Sequence, residues 1–129
     1  MSDDRWALGA CVDRLLAFRK ARDWEQFHRP KELAAALAIE AGELQEQFLW
    51  KPEETAQEVR EDAARLGQIR DEVADVAIYA LLLAHDLNID LAGAIAKKIA
   101  SNERRYPANS NRGVARKAGN RAEDSDPQP

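Results

Sequence analysis

Two pairs of acidic residues are the part of this sequence best suited to do chemistry. Glu40 and Glu43 lie three positions apart in the run IEAGELQEQF, and Glu72 and Asp75 have the same spacing in the later run RDEVADVAIY. Residues three or four apart share one face of an α-helix, and apolar residues accompany each pair on that face. The spacing therefore predicts four carboxylates on helix stripes that a folded protein normally buries.

Burial of these carboxylates would require cations. An unpaired buried carboxylate costs several kcal/mol, and neighbouring like charges raise the cost. The alternative is that the helices turn these acids towards solvent, where Glu and Asp usually lie. Two such pairs, each within an apolar stretch, favour a metal centre formed by Glu40, Glu43, Glu72 and Asp75.

The ligand types indicate which metal such a centre would bind. Di-iron carboxylate bundles add Glu-x-x-His motifs to their inward acids, whereas neither acidic run contains a histidine. A ligand set made only of oxygens suits Mg²⁺ or Mn²⁺ better than iron or zinc. The expected cofactor is therefore Mg²⁺, with Mn²⁺ as a substitute.

The composition indicates a single domain in a reducing compartment. At 129 residues and 45% hydrophobic content, the chain is long enough for one packed core. No apolar run approaches the roughly 18 residues of a membrane span, and the acidic start MSDD lacks the features of a signal peptide. Cys11 is the only cysteine, which favours the cytoplasm. A net charge of −4 argues against general nucleic-acid binding.

Hydrophobic spacing predicts helices along most of the chain and no strand. Pro30 suits the first turn of one helix, and Asp90 suits the N-cap of another that must end before Pro107. Gly67 is expected to kink or divide an acidic helical stretch. The predicted helices cover residues 4–22, residues 30–49, the stretch from Pro52 to about His85, and the stretch between Asp90 and Pro107.

These elements predict an all-α fold, a four-helix bundle within residues 1–107. From Ala108 the chain is rich in Asn, Ser, Gly and Arg, so residues 108–129 are expected to form a flexible polar tail. Four short helices leave substantial apolar surface uncovered. An obligate homo-oligomer, such as a dimer, is therefore expected.

Four stretches of the chain together carry a family resemblance. In order they are RDWEQFHRP, EAGELQEQFLW, DEVADVAIYALLLA and KIASNERRYP, and they cover most of residues 20–107. They resemble the all-α nucleoside triphosphate pyrophosphohydrolases of the MazG type, and in particular the dCTP pyrophosphatase branch. The resemblance implies a tetramer in which Glu40, Glu43, Glu72 and Asp75 bind Mg²⁺. It also implies that the following residues contact the nucleotide: Trp24, His28, Trp50, Tyr79, Lys98, Asn102 and Arg105.

The aromatic residues have an interpretation from their own chemistry. Trp24, Phe27, Trp50 and Tyr79 can offer flat faces to a nucleobase, and such stacking contributes roughly 1–3 kcal/mol per base. Alternatively, they cap the ends of the bundle as ordinary core. Relatives that read cytosine can carry a histidine where this chain has Leu15, so one contact to the base is missing here.

The implied reaction is hydrolysis between the α- and β-phosphates, which yields a nucleoside monophosphate and pyrophosphate. Glu43 and Glu46 are the candidates to orient the attacking water. The expected substrate is dCTP or a modified dCTP, with dUTP and phosphoribosyl-ATP as alternatives. A non-catalytic helical assembly module is the alternative of a different class, but such a module would not need these acidic spacings.

Overall fold

The structure, a computed structural model, describes residues 7–115, and every regular element in that range is helical. The predicted all-α class is therefore confirmed. The four long helices correspond to the four expected ones, and two short helices accompany them. In chain order they are α1 (Leu8–Ala21), α2 (Pro30–Glu46), α3 (Ala56–Glu61), α4 (Ala63–Asp86), α5 (Leu91–Arg105) and α6 (Ala108–Asn111), with a 3-10 turn at Glu25–Phe27.

The chain forms two compact units, Met1–Ile89 and Asp90–Pro129. The first unit contains α1 to α4, and the second contains α5 and α6. The division expected near residue 107 stays a prediction, and residues 116–129 of the expected tail lie outside the described residues. No single helix in residues 7–115 is long and apolar enough to cross a membrane, and α4 and α5 meet that criterion only as a pair.

The core of the first unit lies between α2 and α4. Helix α2 begins with Pro30, as predicted, because proline lacks the N–H that a first-turn residue leaves unpaired. Helix α2 packs mainly against α4, and α1 and α3 also contact α4. Leu33 on α2 is only 1% exposed, and Ile69 and Leu82 on α4 are buried. Helix α4 is therefore the element against which the rest of this unit is positioned.

The acidic stretch is divided at Asp62 and not at Gly67. Asp62 has an extended ψ of 91°, and its carboxylate accepts a 3.1 Å hydrogen bond from the N–H of Arg65. This N-cap satisfies a donor that the first turn of α4 would leave unpaired, so a new helix begins there. Gly67 lies inside α4, and the expectation that it divides the helix is wrong.

Helix α2 ends at Glu46, earlier than the expected residue 49. The N–H groups of Gln47 and Phe48 donate to carbonyls three residues back, at 3.2 and 3.0 Å, which tightens the end of the helix. The chain then turns at Trp50, whose φ of 62° is left-handed. A non-glycine residue in this region ends a right-handed helix and costs roughly 1–3 kcal/mol.

An ion pair joins the ends of α1 and α4. The guanidinium of Arg19 donates two 2.8 Å hydrogen bonds to the carboxylate of Asp86, and the two side chains are 8% and 21% exposed. His85 Nδ1 lies 3.1 Å from the same carboxylate. The hydrogen bonds from Arg19 hold the pKa of Asp86 below its ordinary value.

We expect Asp86→Asn to lower the free energy of unfolding by about 2 kcal/mol at neutral pH, because it leaves a mostly buried guanidinium without its charged partner. Since the folded-state pKa of Asp86 is lowered from 3.8, its contribution is complete above that pH and is lost as the pH falls through the folded-state pKa. Urea unfolding of both proteins, followed by circular dichroism from pH 7 to pH 2.5, measures this difference.

Asp13→Asn, at an exposed position on α1, is the matched control and should follow the wild type at every pH. A difference between Asp86→Asn and the wild type that stays constant down to the lowest pH would contradict the role given to the Asp86 carboxylate.

Candidate metal centre and nucleotide site

Three of the four predicted metal ligands come together where α2 packs against α4. Glu40 and Glu43 lie one turn apart on α2, and Glu72 lies on the facing side of α4. One carboxylate oxygen from each lies within 4.8 Å of the other two. Glu40 and Glu72 are half-buried, and Glu43 is exposed. The packing of the two helices thus creates a cluster of acids with one open side.

The cluster contains carboxylate oxygens that lack a donor. Oε2 of Glu40 and Oε2 of Glu72 are buried and have no hydrogen-bond partner. The adjacent carboxyl of Glu72 raises the pKa of Glu40, and burial and the charge of Asp75 raise it further. Hydrogen bonding to Glu40, the charge of Glu40 and burial raise the pKa of Glu43. Both shifts favour the protonated carboxyl, so a proton or a bound cation would relieve the repulsion between these groups.

The donor set fits a hard divalent cation. The three clustered groups offer oxygen alone, the ligand type that such ions prefer, and the unpartnered buried oxygens are what a bound cation would neutralise. Asp75 lies one turn beyond Glu72 on α4 and is not one of the three residues whose oxygens lie within 4.8 Å of one another. Its charge nevertheless raises the pKa of Glu40 and of Tyr79. The described residues therefore contain a possible acidic metal site built on three carboxylates, with Asp75 beside it.

Two further predicted residues lie next to this cluster. Tyr79, one turn beyond Asp75 on α4, is half-buried, and its pKa is raised by burial and then by the charges of Glu40 and Asp75. Glu46, on the last turn of α2, is exposed, and its charge contributes to the raised pKa of Glu43. Both candidates therefore border the acidic cluster, on different helices.

Trp24 and His28 lie in an aromatic group with Phe18. The rings of Phe18 and Trp24 meet edge to face with centroids 5.6 Å apart, and those of Trp24 and His28 are 6.3 Å apart. Nδ1 of His28 is buried without a hydrogen-bond partner. The guanidinium of Arg22 lies 3.6 Å from the centre of the Phe18 ring. A ring with an unsatisfied polar atom beside an indole suits recognition of a heteroaromatic ligand.

Leu15 lies in an apolar groove between α1 and α4. The groove has a volume of about 390 Å³, and its lining includes Leu8, Leu15, Phe18, Ile78 and Leu81 with the side chain of Arg14 as its charged member. Leu15 itself can offer only apolar contact to anything bound there. The expectation that one contact to the base is missing at this position stays a prediction.

The other predicted contacts lie apart from the acidic cluster along the chain. Trp50 follows the end of α2 and is 93% exposed, so its ring contacts almost nothing within the described residues. Lys98, Asn102 and Arg105 share one face of α5, in the second unit. The guanidinium of Arg105 lies 5.7 Å from the centre of the Tyr106 ring.

Sequence reasoning singled out neither Arg65 nor Phe18 as a residue of the site. Arg65 lies seven residues, or two helical turns, before Glu72 on the same face of α4, and that spacing was a signal that could have been used. Phe18 is 46% exposed and contacts Trp24. Its role depends on the fold of residues 22–28, which periodicity does not predict.

Comparison with known proteins identifies the family of the chain. The sequence matches the MazG-like family over residues 35–120. It is 44% identical over 102 residues to dCTP pyrophosphatase 1 of Bos taurus, a match that covers 76% of this chain. It is 43% identical over 104 residues to dCTP pyrophosphatase 1 of Homo sapiens, a match that covers 78% of this chain. The chain spans 58% and 59% of the length of these two relatives.

A solved structure shows the same fold. A pyrophosphatase from Archaeoglobus fulgidus superimposes with a TM-score of 0.70 at 37% identity, over 78% of this chain and 93% of that one. The family match includes α2 from residue 35 onwards, with Glu40 and Glu43, and the whole of α4 and α5. On these grounds the chain belongs to the MazG-like family.

Proposed function

We propose that this protein is a nucleoside triphosphate pyrophosphohydrolase that cleaves dCTP or a modified dCTP into the monophosphate and pyrophosphate. The observation that carries the proposal is the cluster of Glu40, Glu43 and Glu72, whose buried oxygens lack donors, in a chain of the MazG-like family. The relatives named dCTP pyrophosphatase 1 support the choice of nucleotide.

The acidic cluster would bind Mg²⁺, with Mn²⁺ as a substitute. Glu40, Glu43 and Glu72 would be the ligands, joined by Asp75 from the next turn of α4. The bound ion supplies positive charge that offsets the charge of the triphosphate during displacement at phosphorus. The half-buried Glu40 and Glu72 fix the position of the site, and the exposed Glu43 leaves one side open to the nucleotide.

Hydrolysis requires a water molecule aimed at the α-phosphorus. Its oxygen bonds to that phosphorus while the bond to the oxygen bridging the α- and β-phosphates breaks, and pyrophosphate leaves with that oxygen. Glu43 and Glu46 are the carboxylates that would hold this water and accept its proton, since they lie on the exposed side of the cluster. The reaction needs no covalent intermediate.

The aromatic residues would bind the base. Trp24 and His28 would form one side of a slot for the base, and the buried Nδ1 of His28, which has no hydrogen-bond partner, would be available for a polar contact. Trp50 supplies an exposed indole for stacking, and Tyr79 lies one turn beyond Asp75 on α4, beside the acidic cluster. On α5, Lys98, Asn102 and Arg105 offer the cationic and amide donors that suit phosphate oxygens.

A panel of nucleotides tests this proposal. Purified protein with Mg²⁺ would be assayed for pyrophosphate release from dCTP, 5-methyl-dCTP, dUTP, dATP and phosphoribosyl-ATP. We expect the highest kcat/KM with one of the two cytosine nucleotides and the lowest with dATP. A preference for dATP or for phosphoribosyl-ATP would contradict the assigned base, and no turnover of any nucleotide would favour an assembly module.

We also infer that the protein is a homo-oligomer, a tetramer or a dimer. Large apolar side chains of the first unit remain exposed, among them Ile39 at 62% and Val73 at 50%, and these two adjoin Glu40 and Glu72 in sequence. A second copy would cover such residues and shield the acidic cluster from bulk water. Sedimentation velocity at assay concentration should detect a single oligomeric species, and a fully active monomer would contradict the inference.

A further inference from the structure

Arg65 joins the two ends of the turn that carries Trp50. Its Nε donates a 3.0 Å hydrogen bond to the carbonyl oxygen of Gln47, and its Nη1 donates a 2.7 Å bond to the carboxylate of Glu54. Gln47 precedes Trp50 by three residues, and Glu54 follows it by four. One guanidinium therefore closes the segment from residue 47 to residue 54, which we call the tryptophan turn.

The two charged side chains that form these contacts are largely buried. The side chains of Arg65 and Glu54 are 10% and 20% exposed. The guanidinium lies 5.1 Å from the centre of the Phe48 ring, so its third neighbour also belongs to the tryptophan turn. The hydrogen bond from Arg65 is the main cause that lowers the pKa of Glu54. Planar guanidinium geometry suits this bridging of two acceptors, which a lysine ammonium could not reproduce with the same directions.

The tryptophan turn has a backbone that needs external support. Trp50 has a left-handed φ of 62°, which bulky residues rarely adopt, and its side chain is 93% exposed and so gains little from packing. Inside the turn, the N–H of Lys51 donates a long 3.3 Å bond to the carbonyl of Phe48. Contacts at residues 47 and 54 therefore do much to define the conformation at residue 50.

The backbone of Arg65 is held by the N-cap of α4. Its backbone N–H is capped by the carboxylate of Asp62 at 3.1 Å, in the first turn of α4. The same helix carries Glu72 two turns later. The contacts of Arg65 thus position the tryptophan turn relative to the helix that contributes to the acidic cluster.

We propose that Arg65, together with Glu54, is a positioning residue that fixes the tryptophan turn on α4 and thereby presents the Trp50 indole to the nucleobase. The proposal rests on the function proposed above, because it requires that Trp50 stacks on the base. The side-chain contacts of Arg65 are with Gln47, Glu54 and Phe48, and none of these is a proposed metal ligand or water-orienting residue, so its loss should affect nucleotide binding more than the chemical step.

A double-mutant cycle tests the proposal. Arg65→Met should raise KM for dCTP by about tenfold with kcat changed by less than about twofold, and Glu54→Gln should raise KM in the same direction. Arg65→Lys should restore only part of the loss, because it keeps the ion pair and loses the bond to Gln47. When Trp50 is already alanine, Arg65→Met should change KM by less than about twofold. Arg60→Met, on the exposed face of α3, is the matched control and should leave both constants unchanged.

A second measurement detects the conformation of the tryptophan turn independently of enzymatic activity. Protein labelled with 5-fluorotryptophan gives a ¹⁹F resonance for Trp50 that Trp50→Phe identifies by its disappearance. Arg65→Met should shift this resonance and speed amide exchange at residues 48–51, while the helical circular dichroism stays that of the wild type. Unchanged resonance and exchange would overturn the proposal.

The kinetic outcomes separate this proposal from the proposed function. If Trp50→Ala raises KM and Arg65→Met raises it further by the same factor as in the wild type, Arg65 acts elsewhere and only the positioning role is wrong. If Trp50→Ala leaves KM unchanged, stacking by Trp50 is wrong, and the positioning role is overturned with it. Equal losses of kcat and kcat/KM in Arg65→Met would also overturn the proposal, because they would indicate damage to the chemical step.

Discussion

Replacement of Glu43 by glutamine is expected to lower kcat/KM for dCTP by roughly a hundredfold to a thousandfold, the range found when a group that stabilises transition-state charge is removed. Glu43 contributes one of the three clustered oxygens and is the exposed member, so its amide would remove a ligand charge without opening a cavity. Steady-state assays of pyrophosphate release with Mg²⁺ measure the effect. Glu32→Gln, exposed on the first turn of the same helix, is the control and should retain full activity.

In the absence of metal, the same variant should be more stable to heat than the wild type, although it is less active when Mg²⁺ is present. The raised pKa values of Glu40 and Glu43 mean that the folded protein binds protons more tightly there than the unfolded chain does, so metal-free stability falls as the pH rises above 4.5. Glu43→Gln removes one of the repelling charges and should melt at a higher temperature than the wild type at pH 7 without metal. Mg²⁺ should raise the melting temperature of the wild type more than that of the variant. Full activity in Glu43→Gln would contradict the assigned centre.

Replacement of Trp50 by alanine is expected to raise KM about tenfold for cytosine and uracil nucleotides alike, since stacking on an aromatic side chain contributes roughly 1–3 kcal/mol per base and depends little on which base is bound. The value of kcat should change little, because Trp50 lies beyond the end of α2 and outside the acidic cluster. Trp50→Phe keeps a flat ring and should retain most of the affinity. An unchanged KM in Trp50→Ala would show that the indole does not bind the base.

Local chemistry was enough to predict most helix boundaries. Proline at the start of α2 and the aspartate cap of α5, whose carboxylate accepts a 3.1 Å bond from the N–H of Gly93, both act within a few residues of their own position. The prediction that the helix divides at Gly67 was wrong because glycine lowers helix propensity but does not prevent a helix from forming. The cap at Asp62 decided the boundary, and it depends on a conformation that propensity alone does not specify.

The acidic spacing predicted which carboxylates share a face, and the packing of α2 on α4 then brought Glu40, Glu43 and Glu72 together. Spacing could not predict how far along the partner helix each acid would lie, which is why Asp75 stands just outside the closest group. The spacing of residues also could not predict contacts between distant segments of the chain. Arg19 and Asp86 are separated by 67 positions, and Arg65 and Gln47 by 18. No periodic pattern connects such pairs.

The left-handed backbone at Trp50 lowers the stability of the fold, whereas the side chain at this position is proposed to increase the affinity for the nucleotide. Glycine adopts φ values near 62° without the steric penalty that an indole-bearing residue incurs, and the ring at this position gains almost no packing in return. A library screened only for survival at high temperature would therefore favour glycine at position 50 and discard the side chain proposed to hold the base. Engineering of this protein for durability should keep position 50 fixed and seek its gains elsewhere.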